Sequence, residues 1–73
     1  MIRIYGKEGC NYCEKAKVLC DMYELEYEYI DATFDEEALD FLIENGFRTV
    51  PQVFIDGEHI GGYTEFYEHI CNQ

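Results

Sequence analysis

The chain is short of proline, with Pro51 alone, and short of positive charge, with five basic side chains against sixteen acidic ones. Nowhere does it hold an apolar run near the ~18 residues that a membrane-spanning helix needs. It also has no linker, no internal repeat and no low-complexity stretch. Its 73 residues therefore read as one domain, 1–73. A domain this short buries only ~60% of its unfolded surface, so its core is small. The opening Met1-Ile2-Arg3-Ile4-Tyr5-Gly6 lacks the apolar stretch of a signal peptide, and the expected location is the reducing cytoplasm. In that compartment four cysteines are not expected to form two structural disulfides.

The scarcity of basic residues is uneven. Residues 1–20 carry four basic side chains against two acidic ones, whereas residues 21–73 set Arg48 alone against fourteen acids. A net charge of −11 disfavours nucleic acid and anionic membrane as partners. What the chain does have is apolar content: 48% hydrophobic residues, with seven Tyr and five Phe, enough to build a folded core.

Period and turn chemistry divide the chain into seven elements. Ile2–Tyr5 reads as a strand, and Asn11–Tyr23 as a helix with Ala16, Leu19, Cys20 and Tyr23 at helical spacing. Glu26-Tyr27-Glu28-Tyr29-Ile30 alternates as a strand at a sheet edge does. Thr33-Phe34-Asp35-Glu36 has the form of a capping box, opening a helix that carries Ala38, Leu39, Phe41, Leu42 and Ile43 and ends at Gly46. Gln52–Ile55 and Glu58–Ile60 flank Asp56-Gly57, a strong hairpin signal because both turn residues must take positive φ. A last helix spans about Thr64 to Cys71, with Phe66, Tyr67 and Ile70 inward. The order β-α-β-α-β-β-α predicts an α/β fold: one parallel pair, then an antiparallel hairpin, forming a mixed four-stranded sheet flanked by helices.

Chemistry concentrates at Cys10-Asn11-Tyr12-Cys13, between the first strand and the first helix. The unpaired N–H groups and dipole of a helix start favour negative charge, so a thiol there ionises more readily than a free cysteine. Lys7 and Lys15 add to this. Cys10 is then the exposed attacking thiolate and Cys13 the buried resolving thiol. Zinc would need two further ligands, and Cys20, Cys71, His59 and His69 form no second compact pair.

The stretch Tyr5-Gly6-Lys7-Glu8-Gly9-Cys10-Asn11-Tyr12-Cys13 resembles the glutaredoxin signature, in which a Lys stands three residues before the first cysteine and Cys-Pro-Tyr-Cys is common. Thr49-Val50-Pro51-Gln52-Val53-Phe54-Ile55 resembles the family's Thr-Val-Pro segment with its following strand, and Gly61-Gly62 its glycine pair. The three motifs occur in the family's order and cover essentially the whole chain. The resemblance implies a thioredoxin-like fold, a catalytic Cys10/Cys13 dithiol and glutathione as reducing co-substrate, with no resident metal. It places Lys7, Tyr12, Arg48, Thr49, Val50 and Pro51 along a glutathione groove, with the Val50 backbone bonding the cysteinyl part. Gly62, Tyr63 and Thr64 would hold the γ-glutamyl carboxylate at the start of the last helix, where anions bind well. Two positions depart from the pattern: Asn11 replaces the usual Pro, and Thr64-Glu65 replaces Asp-Asp or Thr-Asp, leaving Glu65 as the candidate for the glutathione ammonium. The resemblance also implies a cis bond before Pro51, a monomer, and disulfide-containing client proteins, ribonucleotide reductase among them.

Two other functions fit parts of the pattern. Gly46-Phe47-Arg48 resembles redoxins of the same fold that are reduced by thioredoxin reductase. An iron–sulfur module would use Cys10 of two chains with two glutathiones. Of the remaining residues, Cys20 is expected to fill the core and Cys71 to lie in the tail, while Tyr23, Tyr27, Tyr29 and Tyr67 are expected to pack. His59 and His69 are given no role.

Overall fold

The structure, a computed structural model, describes residues 1–72; Gln73, the last residue of the expected domain, lies outside them. The elements follow the order β1 (Ile2–Gly6), α1 (Asn11–Met22), β2 (Tyr27–Asp31), α2 (Glu36–Glu44), β3 (Gln52–Ile55), β4 (Glu58–Gly61) and α3 (Tyr63–Cys71). In the sheet the order is β2-β1-β3-β4. β1 runs parallel to β2, in register from Ile2↔Tyr27 to Gly6↔Asp31, and antiparallel to β3, which pairs antiparallel with β4. This is the thioredoxin-like arrangement expected, with β2 at an edge.

Alternation along β1 and β3 sorts side chains onto two faces. Ile2, Ile4 and Val53 lie under α1 and α3, where Ala16, Leu19, Cys20, Phe66 and Ile70 complete a dry core. The opposite face is aromatic. Tyr5 stacks on Phe41 of α2 with ring centres 5.0 Å apart, and Phe54 meets both Tyr5 and Phe41 edge-on or tilted at 5.7 Å. Ala38 and Leu42 of α2 close this second cluster over Ala32.

The turns explain where elements stop. Asp56 and Gly57 both have positive φ, as a two-residue hairpin loop of the expected kind requires. The end of α2 is a Schellman motif: the Gly46 N–H donates to the Ile43 carbonyl, and the Phe47 N–H to the Leu42 carbonyl. Gly46 takes the left-handed conformation there, as expected, and Phe47 packs back against Leu42 in the second cluster.

Two expectations need correction. Thr33 is not the cap of α2. The helix starts at Glu36, and Asp35 is its cap, accepting from the Ala38 N–H at 3.1 Å. Thr33 is spent elsewhere: its N–H donates to the Asp31 carboxylate at 2.8 Å, and its hydroxyl accepts the Glu8 N–H at 2.8 Å. An Asx turn at Asp31 thus outcompetes the cap written three residues ahead of Glu36. A carboxylate capping contact does form at α3, where Glu65 accepts the Gly62 N–H at 2.7 Å. Finally, Tyr23 and Tyr67 are each 47% exposed, because α1 and α3 turn Leu19, Phe66 and Ile70 inward and these two tyrosines outward.

Replacing Asp35 by Ala should cost about 1 kcal/mol of unfolding free energy, a fall of roughly 4–8 °C in Tm for a domain of this size. Thr33→Val should leave α2 intact and act only through the lost hydrogen bond from the Glu8 N–H. Thermal melts of the two variants check this, and the reverse ranking would restore Thr33 as the cap.

Candidate active site

Cys10 is the N-cap residue of α1, with extended backbone angles that stop the chain from continuing the helix backwards. Its sulfur accepts the Cys13 N–H at 3.1 Å and lies 3.7 Å from the Val50 carbonyl. One turn into the helix, Cys13 is fully buried and paired with Cys10 as a disulfide, the two Cα atoms 5.2 Å apart. The pair is thus asymmetric: Cys10 is partly open to solvent and Cys13 is not. The Cys13 N–H of the first turn of α1 thus points at the sulfur that would carry charge after reduction.

The loop before β3 brings a second segment to Cys10. The Val50–Pro51 peptide is cis, and Pro51 is buried. Gln52, also buried, donates to the Thr49 carbonyl at 2.8 Å and its hydroxyl at 3.3 Å, while its own carbonyl oxygen lies 2.8 Å from His59 Nε2. His59 in turn stacks on Phe47 at 4.6 Å. The Thr49–Pro51 loop is therefore braced from β4, a role for Gln52 and His59 that their spacing in the sequence does not signal.

The other expected site residues fall on two flanks of Cys10. On one, Lys7, Arg48, Thr49 and Val50 line a cleft of about 390 Å³ with Leu39, Ile43 and Phe47 of the α2 end. On the other, Tyr12 and Tyr63 approach with ring centres 5.8 Å apart, and Lys15 lies 4.7 Å over the Tyr12 ring. Gly62 lies beside the Thr49–Pro51 loop, where a Cβ on it would make an ordinary contact, 3.5 Å, with the Pro51 carbonyl oxygen. Thr64 is exposed on the first turn of α3. Gly46 and Phe47, which resemble the thioredoxin-reductase-dependent redoxins, are occupied by the Schellman turn and the aromatic cluster.

A Cys-x-x-Cys disulfide capping the first helix, facing a cis-proline loop, on this sheet order, matches known proteins throughout. The glutaredoxin family profile matches residues 2–60. The chain belongs to the glutaredoxin family. Glutaredoxin 1 of Escherichia coli K12 is 38% identical over 71 residues, covering 86% of this chain and 84% of the relative, and glutaredoxin 1 of Rickettsia bellii is 42% identical over 72 residues, covering 92% and 74%. Among solved structures, the buckwheat glutaredoxin–glutathione complex superposes with a TM-score of 0.80 at 32% identity, covering 97% of this chain and 69% of that one. Glutaredoxin 1 of Francisella tularensis, complexed with cacodylate, superposes with a TM-score of 0.71 at 31% identity, covering 99% and 96%. Thiol–disulfide oxidoreductase activity follows from this membership and from the Cys10–Cys13 pair.

The other two cysteines have different surroundings. Cys20 is fully buried, and burial, helped by Asp21, pushes its thiol up to about 11. Cys71 is exposed beside the Tyr23 hydroxyl, 3.5 Å from its sulfur. In the reduced protein, alkylation at neutral pH followed by peptide mapping should therefore modify Cys10 first, Cys71 next and Cys20 not at all. Because the folded Cys20 pKa is raised, the stability it supports is complete below about 9 and is lost as pH rises toward about 11. Early labelling of Cys20 would show that α1 opens under native conditions.

Proposed function

We propose that this protein reduces protein disulfides and glutathione mixed disulfides, with glutathione as its electron donor. The observation that carries the reading is the cleft that joins Lys7 and Arg48 to the Thr49–Val50 backbone beside Cys10. Elsewhere the surface is overwhelmingly acidic, and Lys7 and Arg48 are two of only five basic side chains. Glutathione carries two carboxylates and one ammonium, so it would be repelled by most of this surface and favoured there. The buckwheat relative was solved with glutathione bound, which supports the same reading for this chain.

In the proposed reaction the Cys10 thiolate attacks a substrate disulfide sulfur. A Cys10–substrate bond forms, and the other substrate sulfur leaves with the electron pair. With a protein substrate, the Cys13 thiolate then attacks Cys10, releasing the reduced client and closing the Cys10–Cys13 disulfide. One glutathione thiolate reopens that bond by joining Cys10, and a second displaces the first from Cys10 as glutathione disulfide. In the groove, Lys7 and Arg48 would meet carboxylate, Tyr12 and Pro51 would form the apolar wall, and Thr49 and Val50 would offer backbone bonds. Gly62, Tyr63 and Thr64 would receive the γ-glutamyl carboxylate at the start of α3. Glu65, whose carboxylate accepts the Gly62 N–H at that same end, would meet the ammonium. The protein would act as a cytoplasmic monomer, with ribonucleotide reductase as one client.

The test is a coupled assay with glutathione, glutathione reductase and a glutathionylated small thiol. Replacing Lys7 and Arg48 together by Gln should raise KM for glutathione about 3–10-fold and flatten its salt dependence, with a smaller fall in kcat from the loss of Lys7 near Cys10. Unchanged KM and salt slope would remove the cleft from the reading. Faster turnover with thioredoxin reductase than with glutathione would replace the reductant.

A further inference from the structure

Behind the disulfide, on the side away from the Thr49–Pro51 loop, lies a group of side chains that the thiol-exchange steps leave unused. A Cβ at position 6 would fall 2.2 Å from the Tyr29 hydroxyl oxygen and 2.9 Å from the Cys13 sulfur. Both atoms therefore border the space beside the Gly6 backbone that only glycine leaves open. The ring of Tyr29 is held from above by Lys17, whose Nζ is 4.3 Å from its centre, and Lys17 is itself paired with Glu14 one turn back on α1. Tyr29, Lys17, Glu14 and Cys10 line one cleft of about 240 Å³, together with Lys7, Glu8 and Asp31. Among the described residues the Tyr29 hydroxyl makes no hydrogen bond within the oxidised protein.

When a thiolate attacks Cys10, the Cys10–Cys13 bond breaks and its electron pair remains on the Cys13 sulfur. That sulfur is fully buried, and a buried charge without a donor is costly. The first-turn N–H of Cys13 serves Cys10, so it does not answer this charge.

We propose that Tyr29 is a positioning residue for redox exchange: its hydroxyl donates a hydrogen bond to the Cys13 sulfur as that sulfur leaves Cys10, with the Lys17 ammonium above the ring adding positive charge. The proton that finally neutralises Cys13 comes from water in the Glu14–Lys17–Tyr29 cleft, and in the reverse direction the same bond holds Cys13 as the thiolate that attacks Cys10. Tyr29 is suited to donate, because burial keeps its phenol protonated above the usual tyrosine range. Glu14, hydrogen-bonded to Lys17, keeps that ammonium charged above the usual lysine range. The charged and titratable groups facing this place are Glu14 and Lys17 from α1, Tyr29 and Asp31 from β2, and Lys7 and Glu8 from the loop after β1.

Tyr29→Phe keeps the ring and removes the hydroxyl. Dithiothreitol serves as reductant, so the outcome does not depend on the glutathione groove. Opening of the Cys10–Cys13 disulfide, followed by acid quench and alkylation, should slow about 5–10-fold, a loss of the size one net hydrogen bond accounts for. At a pH where Cys13 stays a thiolate after reduction, the equilibrium with dithiothreitol should shift toward the disulfide by a similar factor. In the Cys13→Ser background, release of glutathione from Cys10 by dithiothreitol should be unchanged by Tyr29→Phe, because Cys13 is no longer the leaving group. A second measurement guards against a packing effect: with Cys10→Ser, the thiolate absorbance of Cys13 should titrate at higher pH in Tyr29→Phe than in Tyr29, at equal Tm. Equal slowing in the Cys13→Ser background, or an unshifted Cys13 titration, would overturn the proposal.

Discussion

One contact organises this protein: the Cys10 sulfur capping α1 and accepting the Cys13 N–H. A serine or aspartate would cap the helix equally well, so the cap alone does not call for cysteine. Cysteine there joins two roles in one atom. It ends the helix, and it receives the helix's partial positive charge just where a thiolate must be stabilised. Everything else serves to hold that sulfur between a buried partner and an open groove. β1 delivers the loop, α1 docks on the core through Ala16, Leu19 and Cys20, and the Thr49–Pro51 loop closes over from the far side of the sheet.

The charge distribution follows the same logic. Neither α1 nor α2 carries a basic residue in its last turn, and both α2 and α3 begin with acids, so acids crowd the chain beyond the site. The basic side chains Lys7, Lys15, Lys17 and Arg48 instead lie around the disulfide: two in the cleft beside Val50, one over Tyr12 and one over Tyr29. An acidic body with a basic rim at its reactive sulfur gives an anionic thiol one favourable approach.

Much of this was legible in the residues. Element order, the Asp56-Gly57 hairpin, the left-handed Gly46 and the Cys10/Cys13 asymmetry follow from local rules of turn, cap and helix end, and the structure agrees. The failures have a common cause. Thr33 is a good cap by spacing, but Asp31 lies two residues before it and captures its N–H, a competition that depends on where β2 ends. Tyr67 has helical spacing with Ile70, yet which of several apolar residues turns inward depends on how α3 rolls against α1. Tyr29 carries no motif, and the signature stretch that includes Gly6 does not point to it. The two residues meet only because β1 and β2 pair in parallel with Ile4 beside Tyr29, a register that no local pattern encodes. Gln52 and His59 meet across a hairpin whose bulge between Val53 and Phe54 sets their alignment.

The proposed reaction turns on Cys10 as nucleophile and Cys13 as the group needed only for protein disulfides. Its most direct test compares Cys10→Ser and Cys13→Ser in two assays, one with a glutathionylated small thiol and one with a disulfide-containing protein. Cys10→Ser should abolish both activities. Cys13→Ser should retain the first and lose most of the second, since glutathione can clear Cys10 from outside but a bound client cannot be released from within. Loss of both activities in Cys13→Ser, at unchanged Tm, would contradict the assignment of roles to the two sulfurs.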